Sequence, residues 1–180
     1  KVSATPVREA FRKLAKDNLV VIVPWKGVTV KADTPEEIVA LYQCREVMEG
    51  LGARLCARHA TPEQVAELKE LCKEMHAIED ATARVEVNSR FHSMIAQFSG
   101  NDRVVDYLAD FRERVNRDMY LSSFNAVRTH DCDDEHDHIV DAIERHDEVA
   151  AENAMRKHIN NAFIFKRANA ELQDKNLNEV

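Results

Sequence analysis

The chain has 180 residues, a formal net charge of -7 and only four Gly and four Pro, a composition that favours long helices over many short strands. Residues 1–32 carry a net charge of +5 and residues 33–180 a net charge of -12, which is typical of a nucleic-acid-binding segment joined to a body with another role, although chance clustering gives the same pattern. No apolar run approaches the roughly 18 residues of a spanning helix and the four cysteines form no CxxC pair, so we expect no membrane partner and reduced thiols in the cytoplasm.

Residues 5–17 predict a helix, with Thr5 as its N-cap and Pro6 in its first turn. Its expected buried face consists of Ala10, Phe11 and Leu14. Two β-prone runs follow, at residues 19–23 and 28–30, and the turn residues between them indicate a hairpin with a basic tip. A helix followed by such a hairpin is the back half of a winged helix.

From residue 34 onward the sequence predicts helices only. Thr34 and Thr61 each begin a capping box followed by proline, and each therefore marks the start of a helix. Four further helices are expected at about residues 82–98, 102–121, 133–145 and 147–171 or beyond, with a polar loop at 122–131 and a frayed end from Gln173. Apolar residues at the 3.6-residue period, joined by short connections, predict an antiparallel bundle of about six helices.

Three histidines lie on the apolar faces of three of these helices: His92 with Asn88 one turn earlier, His136, and His158. A buried imidazole needs a polar partner, and one divalent metal satisfies three neutral imidazoles at once. Zinc, nickel and manganese are all chemically acceptable. Histidines satisfied separately within the core remain the alternative, because periodicity does not show that the three helices converge.

The other histidines do not extend this pattern. His138 lies two residues from His136 and so points elsewhere, and the spacing of a di-iron bundle occurs only once, at Glu135 and His138. The histidines expected to be solvated are His59, His76, His130 and His146.

Arg45 lies on an apolar face between Leu41 and Met48. It is either a snorkelling arginine or the partner of Glu49 in an internal salt bridge, or else a buried guanidinium that binds a carboxylate ligand. The residues alone leave these alternatives open.

Residues 3–14 resemble the recognition helix of GntR-type bacterial transcription regulators, and Lys26-Gly27 resembles the tip of their wing. The remainder resembles the all-helical FCD effector domain of the FadR-like branch. The motifs that carry this likeness are Arg45-x-x-x-Glu49, Phe91-His92 followed by Gly100-Asn101, Glu135-His136-x-x-Ile139-x-x-Ala142-Ile143, and Met155-x-x-His158. The resemblance implies a partial winged helix-turn-helix at residues 1–32 and an effector-binding and dimerisation domain at residues 33–180.

The resemblance also implies the functional residues. The metal ligands would be Asn88, His92, His136 and His158, and Asn88 stands where many relatives have Asp. The resemblance implies that the metal would help to hold a small carboxylate effector, with Arg45 nearby. The DNA-contacting residues would be Ser3, Thr5, Arg8 and Gly27.

We therefore expect a metabolite-responsive transcription regulator, of a family whose members are most often repressors, which binds a palindromic operator as a homodimer. Relatives have two further DNA-binding helices before this point, so we expect an incomplete DNA-binding domain with weak or absent DNA binding. The alternatives are a metal-dependent enzyme of hydrolase type and a metal-free regulator that binds an acyl ligand.

Overall fold

The computed structural model describes residues 4–17, 19–31, 34–109, 111 and 128–178. Within these residues the chain is almost entirely helical, which confirms the predicted fold class. It divides into two compact units, Lys1–Ile38 and Val39–Val180. The division of roles between DNA binding and effector binding stays a prediction. No helix in the described part of the chain is long and apolar enough to cross a membrane.

The first unit contains one helix and a two-stranded antiparallel hairpin. These elements are α1 (Ala4–Lys16), β1 (Val20–Val23) and β2 (Gly27–Val30). Val20 pairs with Val30 and Val23 with Gly27, so the strands are joined by the predicted turn. Gly27 has a φ of 101°, in the left-handed region that glycine enters at no steric cost.

The predicted buried face of α1 is wrong in part. Ala10 and Phe11 are exposed, and Leu14 is half-buried. The reason is that α1 packs against β1 near its C-terminal end, where the Leu19 amide donates to the Leu14 carbonyl at 2.9 Å. Among the described residues of this unit, only the last turns of the helix are therefore covered.

The second unit is the predicted helical bundle. Its helices are α2 (Pro35–His59), which begins in the first unit, α3 (Pro62–Ala77), α4 (Ala81–Phe98), α5, described over residues 102–109, α6 (Arg128–Glu144) and α7 (Glu148–Asn178). Both capping boxes are present. The amide of Glu37 donates to Thr34 Oγ1 and that of Gln64 to Thr61 Oγ1, and each N3 side chain accepts from the cap amide in return.

Two predicted boundaries need correction. Residues 128–131, expected in a loop, belong to α6, and residues 122–127 lie outside the described part of the chain. The end of α7 was expected to fray from Gln173, but the helix continues to Asn178. Neither stretch contains Gly or Pro, so polarity alone did not mark a helix end. For the helix expected at 102–121, residues 110 and 112–121 also lie outside the described part.

The core of the bundle forms where α3 packs against α4 and α6, and where α6 packs against α7. Within the described ranges, the side chains with no exposed surface are Ala53, Cys56, Ala57, Leu68, Phe91, Ile139, Ile143, Ala151 and Ile159. Burying a large apolar side chain stabilises the fold by about 1.5–3 kcal/mol relative to leaving it exposed. This apolar core holds α4, α6 and α7 together along the faces that carry the histidines.

Candidate metal centre

The three histidines converge in the bundle core. His92 on α4, His136 on α6 and His158 on α7 are buried, and each offers one ring nitrogen within 4.8 Å of the others. The Nε2 atoms of His92 and His158 lie 3.3 Å apart. The sequence placed each residue on an apolar face, and the packing of the three helices brings them to one point.

This spacing suits a bound metal. Two imidazole nitrogens coordinated to a tetrahedral zinc ion lie about 3.4 Å apart, since each Zn–N bond is about 2.0–2.1 Å long. Burial lowers the pKa of His158 to about 4, despite the opposing effect of its hydrogen bond to Glu135. Its imidazole is therefore neutral at pH 7 and retains a lone pair for a divalent ion. The donor set and its spacing fit such an ion.

Glu135 orients His158. Its Oε2 lies 2.7 Å from Nδ1 of His158, and its Oε1 accepts a 2.7 Å hydrogen bond from Asn161. The neutral imidazole donates its Nδ1–H to this carboxylate, so its Nε2 is left as the acceptor that faces His92. A carboxylate behind a metal-binding histidine has this effect on ring orientation and basicity.

Glu49 occupies the equivalent position behind His92. It contacts Nδ1 of His92 and accepts a 2.5 Å hydrogen bond from Nε of Arg45, and both charged side chains are about 5% exposed. Burial alone would raise the pKa of Glu49, but the charge of Arg45 and the contact with His92 outweigh it and hold the pKa below its usual range. Of the alternatives for Arg45, the internal salt bridge with Glu49 is the contact observed.

The carboxylates of Glu49 and Glu135 were missed as partners of the histidines. Glu135 was considered for the di-iron spacing and Glu49 as a partner of Arg45, and both stand in motifs of the resemblance, but neither was paired with a histidine. Glu49 lies four residues after Arg45, and Glu135 is adjacent to His136. The contacts of Glu49 with His92 and of Glu135 with His158 join different helices, so local spacing gives no signal for them.

Asn88 is buried on α4, one turn before His92 on the same face. Its role as a fourth ligand stays a prediction. The exposed His138 confirms that this residue points away from the cluster, and His59, His76 and His146 are exposed as expected. His130 belongs to α6, and its side chain lies outside the described part.

The predicted DNA-contacting residues belong to the first unit. Ser3 lies outside the described residues. Thr5 and Arg8 are exposed on α1, and Gly27 is the first residue of β2. Their exposure leaves these positions accessible to a ligand, and their contact with DNA stays a prediction.

A protein-family comparison decides the class of this molecule. The FCD domain model matches residues 40–161, which include the whole histidine cluster. The chain belongs to the FCD-domain family of GntR-type transcription regulators. This membership confirms the resemblance read from the sequence, and it favours a regulator over the hydrolase alternative because the relatives are transcription regulators.

Relatives of this FCD protein are known across bacteria. It is 25% identical over 163 residues to the HTH-type transcriptional regulator YdhC of Bacillus subtilis. This match covers 88% of this chain and 73% of YdhC. It is 29% identical over 161 residues to the HTH-type transcriptional repressor RspR of Escherichia coli. This match covers 88% of this chain and 71% of RspR. Escherichia coli McbR/YncC has the same fold, with a TM-score of 0.81 at 18% identity over 94% of this chain and 87% of McbR/YncC.

Proposed function

We propose that this FCD-family protein is a metabolite-responsive transcription regulator, acting as a repressor in the cytoplasm, whose helical bundle senses a small carboxylate through a bound divalent metal. The observation that carries the proposal is the convergence of His92, His136 and His158 from three helices into one buried cluster. A core without function has little reason to bring three imidazoles together, since each needs its own polar partner.

The proposed metal ligands are Asn88, His92, His136 and His158. Zinc is the preferred ion, with nickel and manganese as alternatives, since neutral imidazole binds all three. A bound ion supplies a Lewis-acid site for an oxygen of the effector. Glu49 and Glu135 orient His92 and His158, and the surrounding apolar core limits the access of water.

The metal proposal is tested by elemental analysis and thermal unfolding. We expect about one divalent ion per chain, and a loss of melting temperature when a chelator removes it. An ion present at 100 times its dissociation constant stabilises the fold by about 2.7 kcal/mol. For a chain of this length that corresponds to about 5–11 °C.

His136→Ala should abolish the metal content and the chelator effect together. The matched control is His138→Ala, two residues away on the same helix but exposed, which should retain both. A wild-type protein that contains no metal and melts at the same temperature with and without chelator would contradict the metal site. It would leave a metal-free regulator with an acyl ligand as the better account.

Arg45 is the proposed partner of the effector carboxylate. Its guanidinium has five N–H donors in a planar fork, of which the Nε–H is engaged by Glu49. Glu49 in turn contacts His92, so Arg45 and the metal ligands belong to one continuous set of polar contacts. An effector carboxylate that bridges the metal and Arg45 would compete with Glu49 for that guanidinium.

Calorimetric titration of zinc-loaded protein with a panel of small mono-, di- and tricarboxylates tests this step. Arg45→Lys keeps the charge but loses the fork, so the affinity should fall by about 10- to 100-fold, the equivalent of one charged hydrogen bond. Binding of a carboxylate with equal affinity to Arg45→Lys, or to chelated protein, would contradict the proposed pocket.

The proposed output is operator binding by a homodimer of the full-length protein, through Ser3, Thr5, Arg8 and Gly27. Effector binding would favour one arrangement of the two DNA-binding domains of the dimer on a palindromic site and so change the affinity for DNA. Light scattering tests the dimer, and the salt dependence of duplex-DNA binding by the full-length protein tests Arg8. Arg8→Ala should reduce the slope of log K against log salt by about one if Arg8 grips a phosphate.

A further inference from the structure

A thiol lies beside the histidine cluster. Cys132 is on α6, one helical turn before His136, so the two side chains share a face. Its Sγ is 4.0 Å from Nε2 of His136. Cys132 also offers its sulfur within 4.8 Å of ligand atoms of Glu135 and His158. His158 therefore belongs to two groups of side chains that could hold a metal ion, one of three histidines and one that contains sulfur.

We propose that Cys132 is a metal ligand and that its thiolate gives this pocket a preference for thiophilic divalent ions. The inference rests on the proposed metal site and adds a residue to it. Cys132 would be a fifth protein ligand beside Asn88 and the three histidines. Adjacent sulfur and nitrogen donors on one zinc ion lie about 3.1–3.5 Å apart, since the bonds are about 2.3 Å and 2.0–2.1 Å long. The observed separation of 4.0 Å from Nε2 of His136 is longer than this by about 0.5–0.9 Å. Cys132 is not within 4.8 Å of all three histidine ligand atoms, so ligation requires its half-buried side chain to rotate toward the cluster.

The chemistry of the donor set supports a specific role for this sulfur. Asn88 offers a neutral amide oxygen, so a site made of Asn88 and three neutral histidines would carry no negative charge against a divalent ion. Cys132 supplies one negative charge on ligation, when the metal–sulfur bond forms and the thiol proton is released to solvent. Thiolate ligands favour zinc and cobalt over manganese and magnesium. Cys132 would therefore narrow the choice of metal that histidines alone leave open.

The other cysteines provide matched controls. Cys44 is exposed on α2 and belongs to neither metal-binding group, whereas Cys56 and Cys72 are buried. All four cysteines lie in the described part of the chain, and all are reduced thiols. A spectroscopic signal that depends on Cys132 but not on Cys44 therefore identifies the sulfur that binds the ion.

The test is cobalt substitution of the chelator-treated full chain. We expect one Co²⁺ per chain and a thiolate-to-cobalt charge-transfer absorption in the near ultraviolet. Cys132→Ser should lose this absorption while retaining bound cobalt through the histidines, and Cys44→Ser should retain both. In the wild type, zinc should slow the alkylation of Cys132 but leave that of Cys44 unchanged, a readout that requires no variant to fold.

Each other result overturns the inference in a distinguishable way. Stoichiometric cobalt without the absorption, or an absorption that survives in Cys132→Ser, would refute ligation by Cys132 and leave the histidine site intact. The 4.0 Å contact would then be a weak S–H···N hydrogen bond along one helix. A chain that binds no cobalt or zinc at all would refute the thiol ligand and the proposed metal site together.

Discussion

Arg45 and Glu49 form a buried ion pair, so the effect of Arg45→Leu on stability should change sign between the wild type and Glu49→Leu. Both side chains are about 5% exposed, and their hydrogen bond is 2.5 Å long. Glu49→Leu leaves the guanidinium buried without its carboxylate, which costs about 3–5 kcal/mol. At about 2–4 °C per kcal/mol for a chain of this length, the melting temperature should fall by about 6–20 °C.

Adding Arg45→Leu to Glu49→Leu should then restore stability, because it removes the stranded charge. The same Arg45→Leu substitution in the wild type should destabilise, since it strands Glu49 instead. Urea unfolding of the four proteins in the presence of chelator measures both effects without a contribution from metal. The loss of the Glu49 contact to His92 is common to both Glu49→Leu proteins and cancels from their comparison.

The partly exposed pair of Glu46 and Arg156 is the matched control. It joins α2 to α7 at 2.9 Å, but its side chains are 31% and 41% exposed, so its coupling should be below about 1 kcal/mol. The physical reasoning for Arg45 and Glu49 is refuted if Arg45→Leu lowers stability equally in both backgrounds, or if the coupling is no larger than that of the control.

The contribution of Glu49 to the free energy of unfolding depends on pH in a definite direction. The folded-state pKa of Glu49 is below its usual range, because Arg45 and His92 outweigh the effect of burial. The stabilisation of the fold by ionised Glu49 is therefore fully present above the pKa of about 4.3 that this carboxyl group has in the unfolded chain. It is lost as the pH falls toward the lower pKa of Glu49 in the folded chain. The stability difference between the wild type and Glu49→Leu should accordingly narrow in acid.

Three further predictions test the packing, the thiols and the orientation of the metal ligands. Gly52→Ala should stabilise α2 by up to about 1 kcal/mol, because its new Cβ would lie at an ordinary 3.4 Å from its nearest neighbour. Gly50→Ala should give a lower melting temperature than Gly52→Ala, because its Cβ would lie 2.7 Å from the side chain of Arg156 on α7. Burial raises the pKa of Cys56 to about 12, so iodoacetamide should modify the exposed Cys44 first in native protein, and equal rates would contradict the packing around Cys56. Glu135→Gln should weaken zinc binding by about 10- to 100-fold, and an unchanged affinity would show that this carboxylate does not support the metal ligand that it contacts.

Local patterns in the sequence predicted most of the helical architecture. The capping boxes at Thr34 and Thr61 located two helix starts to within a residue, because a cap is built from side chains that are neighbours in the chain. The errors fell where such signals were absent. Polarity suggested a loop at residues 128–131, but those residues contain no Gly or Pro and belong to a helix.

The sequence by itself determined which face of its helix each histidine occupies, since the 3.6-residue period follows from backbone geometry alone. Only the tertiary structure decided that His92, His136 and His158 meet, and that Glu49 and Glu135 stand behind two of them. The rotation and crossing of packed helices depend on how side chains from distant parts of the chain interdigitate. That information is distributed over the whole core, so local spacing identifies the donor groups but not their neighbours.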